Sequence, residues 1–187
     1  MANGAQVTPE IQDLIDRERI RQCLVRYTRG IDRLDEELVL SAFHPDAIDI
    51  HAKGRYGTAR AFLDWWVPTQ AQREVAQHFV TNFTIDIDGD VAHVESYFVT
   101  VSKTKGQDAT FLTGGRYTDR FEKREGGWKI ALRLVHIEWT VECQAAQLPG
   151  FVGLDVGARS RTDPSYMRPL TIPESLREPP STQLPAR

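Results

Sequence analysis

The spacing of apolar residues changes period along the chain. Ile11, Leu14 and Ile15, then Ile20, Cys23, Leu24, Tyr27 and Ile31, recur every three or four positions, the interval that lines up side chains on one helix face. Thr8-Pro9-Glu10 supplies a start: a hydroxyl to cap free amides, a proline at the first helical position and an acid facing the positive end of the dipole. The pattern predicts one amphipathic helix ending near Asp32, with an apolar stripe that needs a sheet to cover. A second, short helix is predicted from Asp35, with Glu36 and Glu37 in its first turn, stopped by His44-Pro45-Asp46. Ile48 to His51 reads as a short strand and Gly54 and Gly57 as a turn. Thr58 caps a third helix that carries Phe62, Trp65 and Trp66 and ends before Pro68.

From Gln77 onward the period is two. Four strands are predicted, over about 77–87, 91–102, 109–123 and 128–141. Asp88-Gly89-Asp90 and Glu125-Gly126-Gly127 are hairpin signals, and Lys103 to Asp108 is a looser connection. Short turns make neighbouring strands antiparallel, and helices followed by strands give an α+β fold with the helices on one face of the sheet. Seven of the ten prolines fall between Pro149 and Pro185, which precludes a regular helix or a central strand there. The organisation expected is a tail over 1–7, one domain over 8–145 and a proline-rich arm over 146–187. Tyr166, Met167, Leu170 and Ile172 are the arm's apolar docking points.

Composition narrows the function. With 41% hydrophobic and 26% charged residues among 187, and a formal charge of -3 spread through mixed runs, the chain has no basic face for a nucleic-acid backbone. No apolar run approaches the ~20 residues that span a bilayer, and the first residues lack the basic and apolar parts of a signal peptide, so a cytoplasmic protein is expected. Cys23 and Cys143 are too few for a disulfide framework and are expected to be reduced.

Three segments carry a resemblance: Tyr27-Thr28-Arg29-Gly30-Ile31-Asp32 closing the first helix, Gln77-His78-Phe79 opening the first long strand, and Gly127-Trp128-Lys129-Ile130 leading to Arg133. Together they resemble the SnoaL-like branch of the nuclear-transport-factor-2-like superfamily, over roughly residues 8 to 142. The branch includes scytalone dehydratase, hexachlorocyclohexane dehydrochlorinase and bile-acid 7α-dehydratase. The resemblance implies a cone-shaped α+β fold and elimination without cofactor or metal, with a strand histidine as base (His78) and a helix-end aspartate orienting it (Asp32). It further implies a helix tyrosine near the pocket (Tyr27) and a homo-oligomer, trimeric before dimeric. Ile31 stands where scytalone dehydratase has a tyrosine, and Tyr27 where the dehydrochlorinase has a lysine, so no single relative supplies the substrate.

The physical logic runs in parallel. A neutral imidazole accepts a proton near neutral pH, and a carboxylate on its other nitrogen fixes the tautomer and stabilises the imidazolium. Arg133, on an otherwise apolar strand, is costly unless it pairs with a carboxylate or a developing anion; Glu95 and Glu138 are candidate partners across the sheet. His51 is expected at the open end of the cone as a second acid, and Trp65, Val80, Val99, Val101 and Tyr117 along the pocket wall. His44, Asp46, Asp49 and His51 fall within eight residues, but no helical His-x-x-x-His pair and no cysteine joins them, which argues against a metal site. The reading is a cofactor-independent lyase that removes water, halide or a small carbonyl fragment such as formaldehyde from an apolar aromatic or alicyclic compound. A double-bond isomerase and a non-catalytic subunit like that of ring-hydroxylating dioxygenases are the alternatives.

Overall fold

The capping residues all act as their chemistry suggests. In the computed structural model, which describes residues 7–125, 127–144 and 157–171, helix α1 spans Pro9–Arg33, and the Thr8 hydroxyl accepts from the Ile11 N–H at 3.4 Å. Asp35 caps α2 (Glu36–Leu40) through the Leu38 N–H at 3.2 Å, and Thr58 caps α3 (Ala59–Ala71) through the Ala61 N–H at 3.2 Å. The end of α1 is set by Leu34 in the left-handed region and by the Asp35 N–H, which returns to the Gly30 carbonyl at 2.9 Å. Gly30 is also where α2 crosses closest. A Cβ there would lie 2.6 Å from a Val39 methyl carbon and 2.8 Å from the Val39 nitrogen.

Six strands form one curved sheet: β1 (Phe43–Ala52), β2 (Arg55–Thr58), β3 (Arg73–Asp88), β4 (Val91–Thr104), β5 (Ala109–Arg124) and β6 (Gly127–Gln144), in the order β2-β1-β6-β5-β4-β3. Every pairing is antiparallel except β1 with β6. The helices lie on the concave face, where Ile20, Leu24, Ile31, Phe62, Phe98 and Phe121 form the core. At the sheet's far edge β3 carries a bulge between Thr81 and Thr84, with Asn82 in the left-handed region at φ 50°.

Two expectations are corrected. The strand expected at Ile48 begins at Phe43 and contains Pro45; the register with β6 slips between Phe43 and Ile48, so the proline sits where no ladder donor is required. Helix α3 does not stop before Pro68 but continues to Ala71. Pro68 and Asp64 both lie on the exposed face, where water can take the carbonyl that the proline leaves unpaired.

The part of the arm that is described, residues 157–171, is ordered against the end of α1. Arg161 donates to Asp35 at 2.8 Å and 3.2 Å, the Tyr166 hydroxyl donates to Asp35 at 2.9 Å, and Arg33 lies 3.4 Å from Asp163. The Arg29 guanidinium stacks over the Tyr166 ring at 4.5 Å. Burial disfavours the Asp35 charge, but the hydrogen bonds from Arg161, Tyr166 and the Leu38 N–H outweigh it and hold the carboxyl below its ordinary range. Of the expected docking points Tyr166 is engaged, Met167 and Leu170 are exposed, and Ile172 lies outside the described residues. So do residues 1–6, 145–156 and 172–187 of the expected tail and arm.

Candidate active site

Asp32 occupies the last turn of α1 and His78 lies near the start of β3; the packing of that helix across the open end of the sheet sets them head to head. His78 Nδ1 is 2.6 Å from Asp32 Oδ1, and the His78 backbone N–H donates to Asp32 Oδ2 at 3.1 Å. Both carboxylate oxygens are therefore occupied. A carboxylate against Nδ1 places the proton on that nitrogen and leaves the Nε2 lone pair free.

His78 lines a cavity of about 190 Å³ together with His51, Phe98, Tyr117, Val135 and Ile137, and Gln70 and Arg73 line it as well. His51 belongs to β1. Four strand spacings separate β1 from β3 in the sheet order, on the order of 19 Å in a flat sheet. Both imidazoles reach one cavity because the sheet curls.

The β1 strand presents its polar side inward. Ala47 and Asp49 are buried and His51 partly so, whereas Ile48 and Ile50 are each 38% exposed on the other face. His51 stacks on Phe62 with centroids 4.6 Å apart and meets Trp65 edge-on at 5.9 Å. Its Nδ1 is 3.3 Å from Asp49 Oδ1, but the angle is not that of a hydrogen bond. Among the described residues neither Asp49 oxygen has a hydrogen-bond partner, although Asp49 is 1% exposed.

Arg133 lies below the cavity, completely buried, and grips Asp119 with two parallel hydrogen bonds of 2.8 and 2.7 Å. Its guanidinium is sandwiched 4.2 Å from the centroids of both Tyr27 and Tyr117. Burial alone opposes the cation, and Asp119 more than restores it, so Arg133 is held protonated above its ordinary value. Register places Asp49 of β1 on one side of Arg133 and Asp119 of β5 on the other, and Arg133 Nη1 has no partner. The expected partners Glu95 and Glu138 instead hold Arg116, at 2.7 and 2.5 Å. That correction has a simple cause: Arg116 and Arg133 lie on opposite faces of the sheet.

The other predicted residues divide. Val101 and Tyr117 line the cavity. Trp65 lines an adjacent hollow of about 160 Å³ with Asp49, Tyr56 and Phe62. Val80 packs against the core, and Val99 is in register with the exposed Phe79, so neither reaches the cavity wall. Tyr27 is buried under the wall, edge-on to Phe43 and Tyr117, and burial pushes its phenol well above the ordinary range. The group of four between residues 44 and 51 does not converge. His44 Nε2 bonds the Glu122 carbonyl at 2.9 Å, Asp46 pairs with Arg124 at 2.6 Å, and only Asp49 and His51 face inward. Among the described residues no cluster of three or more histidines, cysteines or acids is arranged to hold a metal. Asp119 and Asp49 were not anticipated. Alternation from Tyr117 through Asp119 to Phe121 carried the signal for the first, since two aromatics that face inward put the residue between them on the same face.

Comparison with solved structures assigns the fold. A Novosphingobium aromaticivorans protein named for scytalone dehydratase aligns with a TM-score of 0.65 at 19% identity, over 72% of this chain and 91% of that one. The hexachlorocyclohexane dehydrochlorinase of Novosphingobium barchaimii aligns with a TM-score of 0.67 at 16% identity, over 74% and 97%. The architecture is thus the nuclear-transport-factor-2-like cone. An uncharacterised protein of Mycobacterium tuberculosis is 30% identical over 128 residues, covering 66% of this chain and 86% of that protein. Residues 12–133 match the SnoaL-like domain, and the chain belongs to that family. No helix among the described residues is long and apolar enough to cross a membrane.

Proposed function

We propose that the chain is a lyase in which His78, oriented by Asp32, removes a proton from carbon while a leaving group departs from the neighbouring carbon. The observation that carries this reading is the 2.6 Å contact between His78 Nδ1 and Asp32, which leaves Nε2 as an acceptor on the wall of a cavity. The C–H electron pair becomes the new double bond, the bond to the leaving group breaks, and the proton rests on His78. His51, the second imidazole on the cavity wall, donates a proton where the leaving group is hydroxide. Water then departs rather than a strong base. Every proton transfer is thereby assigned to a side chain.

The substrate is small and mainly apolar. Phe98, Val135 and Ile137 offer it apolar surface, Thr100, Ser102, Thr113 and Arg73 offer polar groups for one substituent, and about 190 Å³ suits a single ring, since a cavity of ~150 Å³ holds benzene. A double-bond isomerase using a carboxylate base fits less well. Among the described residues no aspartate or glutamate lines the cavity, and Asp32 and Asp49 adjoin it through their histidines. The relatives named for a dehydratase and a dehydrochlorinase are compatible with the lyase reading. The proposal includes a homo-oligomer, a trimer before a dimer. The outer face of the sheet exposes Phe79, Tyr97, Trp139 and Val141, apolar area that a second copy would cover.

The test is a panel of single-ring β-hydroxy carbonyl compounds and chlorinated cyclohexanes, followed by ultraviolet absorbance of the new alkene and by loss of the acidic C–H signal in deuterated buffer. Product or exchange with the wild type and not with His78→Ala is the expected result. Equal rates with His78→Ala, or neither product nor exchange across the panel, would overturn it.

A further inference from the structure

We infer that Arg159, in the C-terminal arm, is a positioning residue for the His78–Asp32 pair, because its one guanidinium ties the end of α1, which carries Asp32, to the end of α3 and the start of β3, both of which line the cavity. The inference rests on the reading that this pair is the working base. Arg159 Nε donates to the Asp32 carbonyl at 3.1 Å and Nη2 to the Ile31 carbonyl at 3.4 Å, both at the end of α1. Nη1 donates to the Gln70 carbonyl in the last turn of α3 at 2.6 Å and to the Arg73 carbonyl, the first residue of β3, at 3.2 Å.

The last carbonyls of a helix have no partner within the helix and carry the negative end of its dipole. Two such ends converge here, and a planar five-donor fork satisfies both at once, which a lysine cannot do. Burial holds the Arg159 guanidinium below its ordinary value, and Asp32 counters this in part: its carboxylate favours the charge, against Arg33 and Arg73, and its carbonyl accepts a hydrogen bond. Gln70 and Arg73, whose carbonyls the fork also holds, both line the cavity. The backbone that carries the aspartate, the strand start that leads to His78 and the last turn of α3 beside the cavity are therefore fixed by one side chain. It comes from outside the SnoaL-like match, which ends at residue 133. The rest of the arm has its own attachments through Asp35, Arg29 and Arg33, so removing the Arg159 fork does not by itself detach it.

The experiment uses the full chain and needs no substrate. The proton on His78 Nδ1, held by Asp32, is read as a low-field imidazole signal by nitrogen-correlated proton NMR and assigned by its loss in His78→Gln. In Arg159→Ala, with circular dichroism unchanged, that signal is expected to broaden away through solvent exchange. Arg159→Lys keeps charge and stem but not the fork, and weakening of the signal is expected there too; it carries the test alone if the alanine variant does not fold. Once a substrate is in hand, turnover should fall about tenfold in both variants with KM little changed. A His78 signal as sharp and as protected in the folded variants as in the wild type would overturn the proposal. The two readings fail separately: a signal lost in the variants while the wild type eliminates nothing sinks the lyase and keeps the positioning role, and an active wild type with an undisturbed signal does the reverse.

Discussion

Two histidines reach one cavity, each with an aspartate beside it, and the pairs could hardly be built more differently. Asp32 and His78 come from different elements 46 residues apart, so helix and strand can be docked until the groups meet end-on at 2.6 Å, with a backbone N–H on the second oxygen. Asp49 and His51 are two residues apart on one strand, where side chains stand parallel and about 6.6 Å apart at their bases. That geometry permits a 3.3 Å approach but not alignment, and both Asp49 oxygens are left without a hydrogen bond. The same two residue types make a satisfied, preorganised pair in one place and a frustrated one in the other. Register, more than identity, decides which.

Removing the satisfied pair should give the largest effect. His78→Ala is expected to lower turnover about 10²- to 10⁴-fold, and Asp32→Asn comparably, because an amide can hold the wrong tautomer and cannot stabilise the imidazolium. The double variant should be hardly worse than His78→Ala alone. Steady-state kinetics on the four proteins reads this, and additive losses would show that the two residues do not act as a unit.

A third buried carboxylate calibrates what satisfaction is worth. Asp119→Ala leaves the Arg133 cation buried and unpaired, and a loss of about 3–5 kcal/mol is expected in urea unfolding. A loss below about 1 kcal/mol would mean that Asp49 takes over as partner.

The sharpest contrast comes from matched substitutions. Asp32→Asn, which keeps one acceptor oxygen but loses the charge that strengthens both hydrogen bonds, should destabilise by about 1–2 kcal/mol. Asp49→Asn replaces a buried carboxyl whose two oxygens accept no hydrogen bond among the described residues, and should stabilise by up to about 1 kcal/mol. Turnover of a hydroxyl-bearing substrate should nonetheless fall about tenfold in Asp49→Asn and further in His51→Gln. Equal signs in the two unfolding midpoints would erase the distinction drawn between the pairs.

The smallest effect concerns the arm. The Asp35 carboxyl is held below its ordinary range, so the stability it contributes is fully present above the unfolded value near ~3.9 and is lost as pH falls through the lower folded value. Tyr166→Phe removes one of its partners and should cost about 1 kcal/mol at neutral pH. The gap to wild type should close as pH falls below the ordinary carboxylate range and Asp35 protonates; a gap that persists there would assign the Tyr166 contribution to packing.

Much of this was legible from short-range chemistry. Thr8, Asp35 and Thr58 cap the helices that they announce, and the change to period two at the first long strand locates the sheet, because caps and alternation are local properties of a few residues. What was hidden depends on partners distant in sequence. Pro45 reads as a stop until the slipped register with β6 supplies a place for it. In Ile48-Asp49-Ile50 the ordinary rule puts isoleucine inward, yet the strand turns aspartate into the interior beside the cavity, a local rule broken where the site lies. Arg159 reads as one charge in a proline-rich tail until the ends of two helices are seen to meet beside it.

The bulge in β3 bears on how the protein behaves when concentrated. That strand is a sheet edge of 16 residues, long enough to template pairing with another chain. The kink at Asn82 breaks the run of free N–H and C=O groups into two shorter stretches, and the Arg17 guanidinium occupies the Ile85 carbonyl beyond it. A straight edge of the same length would be a starting point for amyloid-like stacking. Asn82 is therefore a position where a substitution such as Asn82→Val would show itself as turbidity in a concentrated solution well before it appeared in the rate of any reaction.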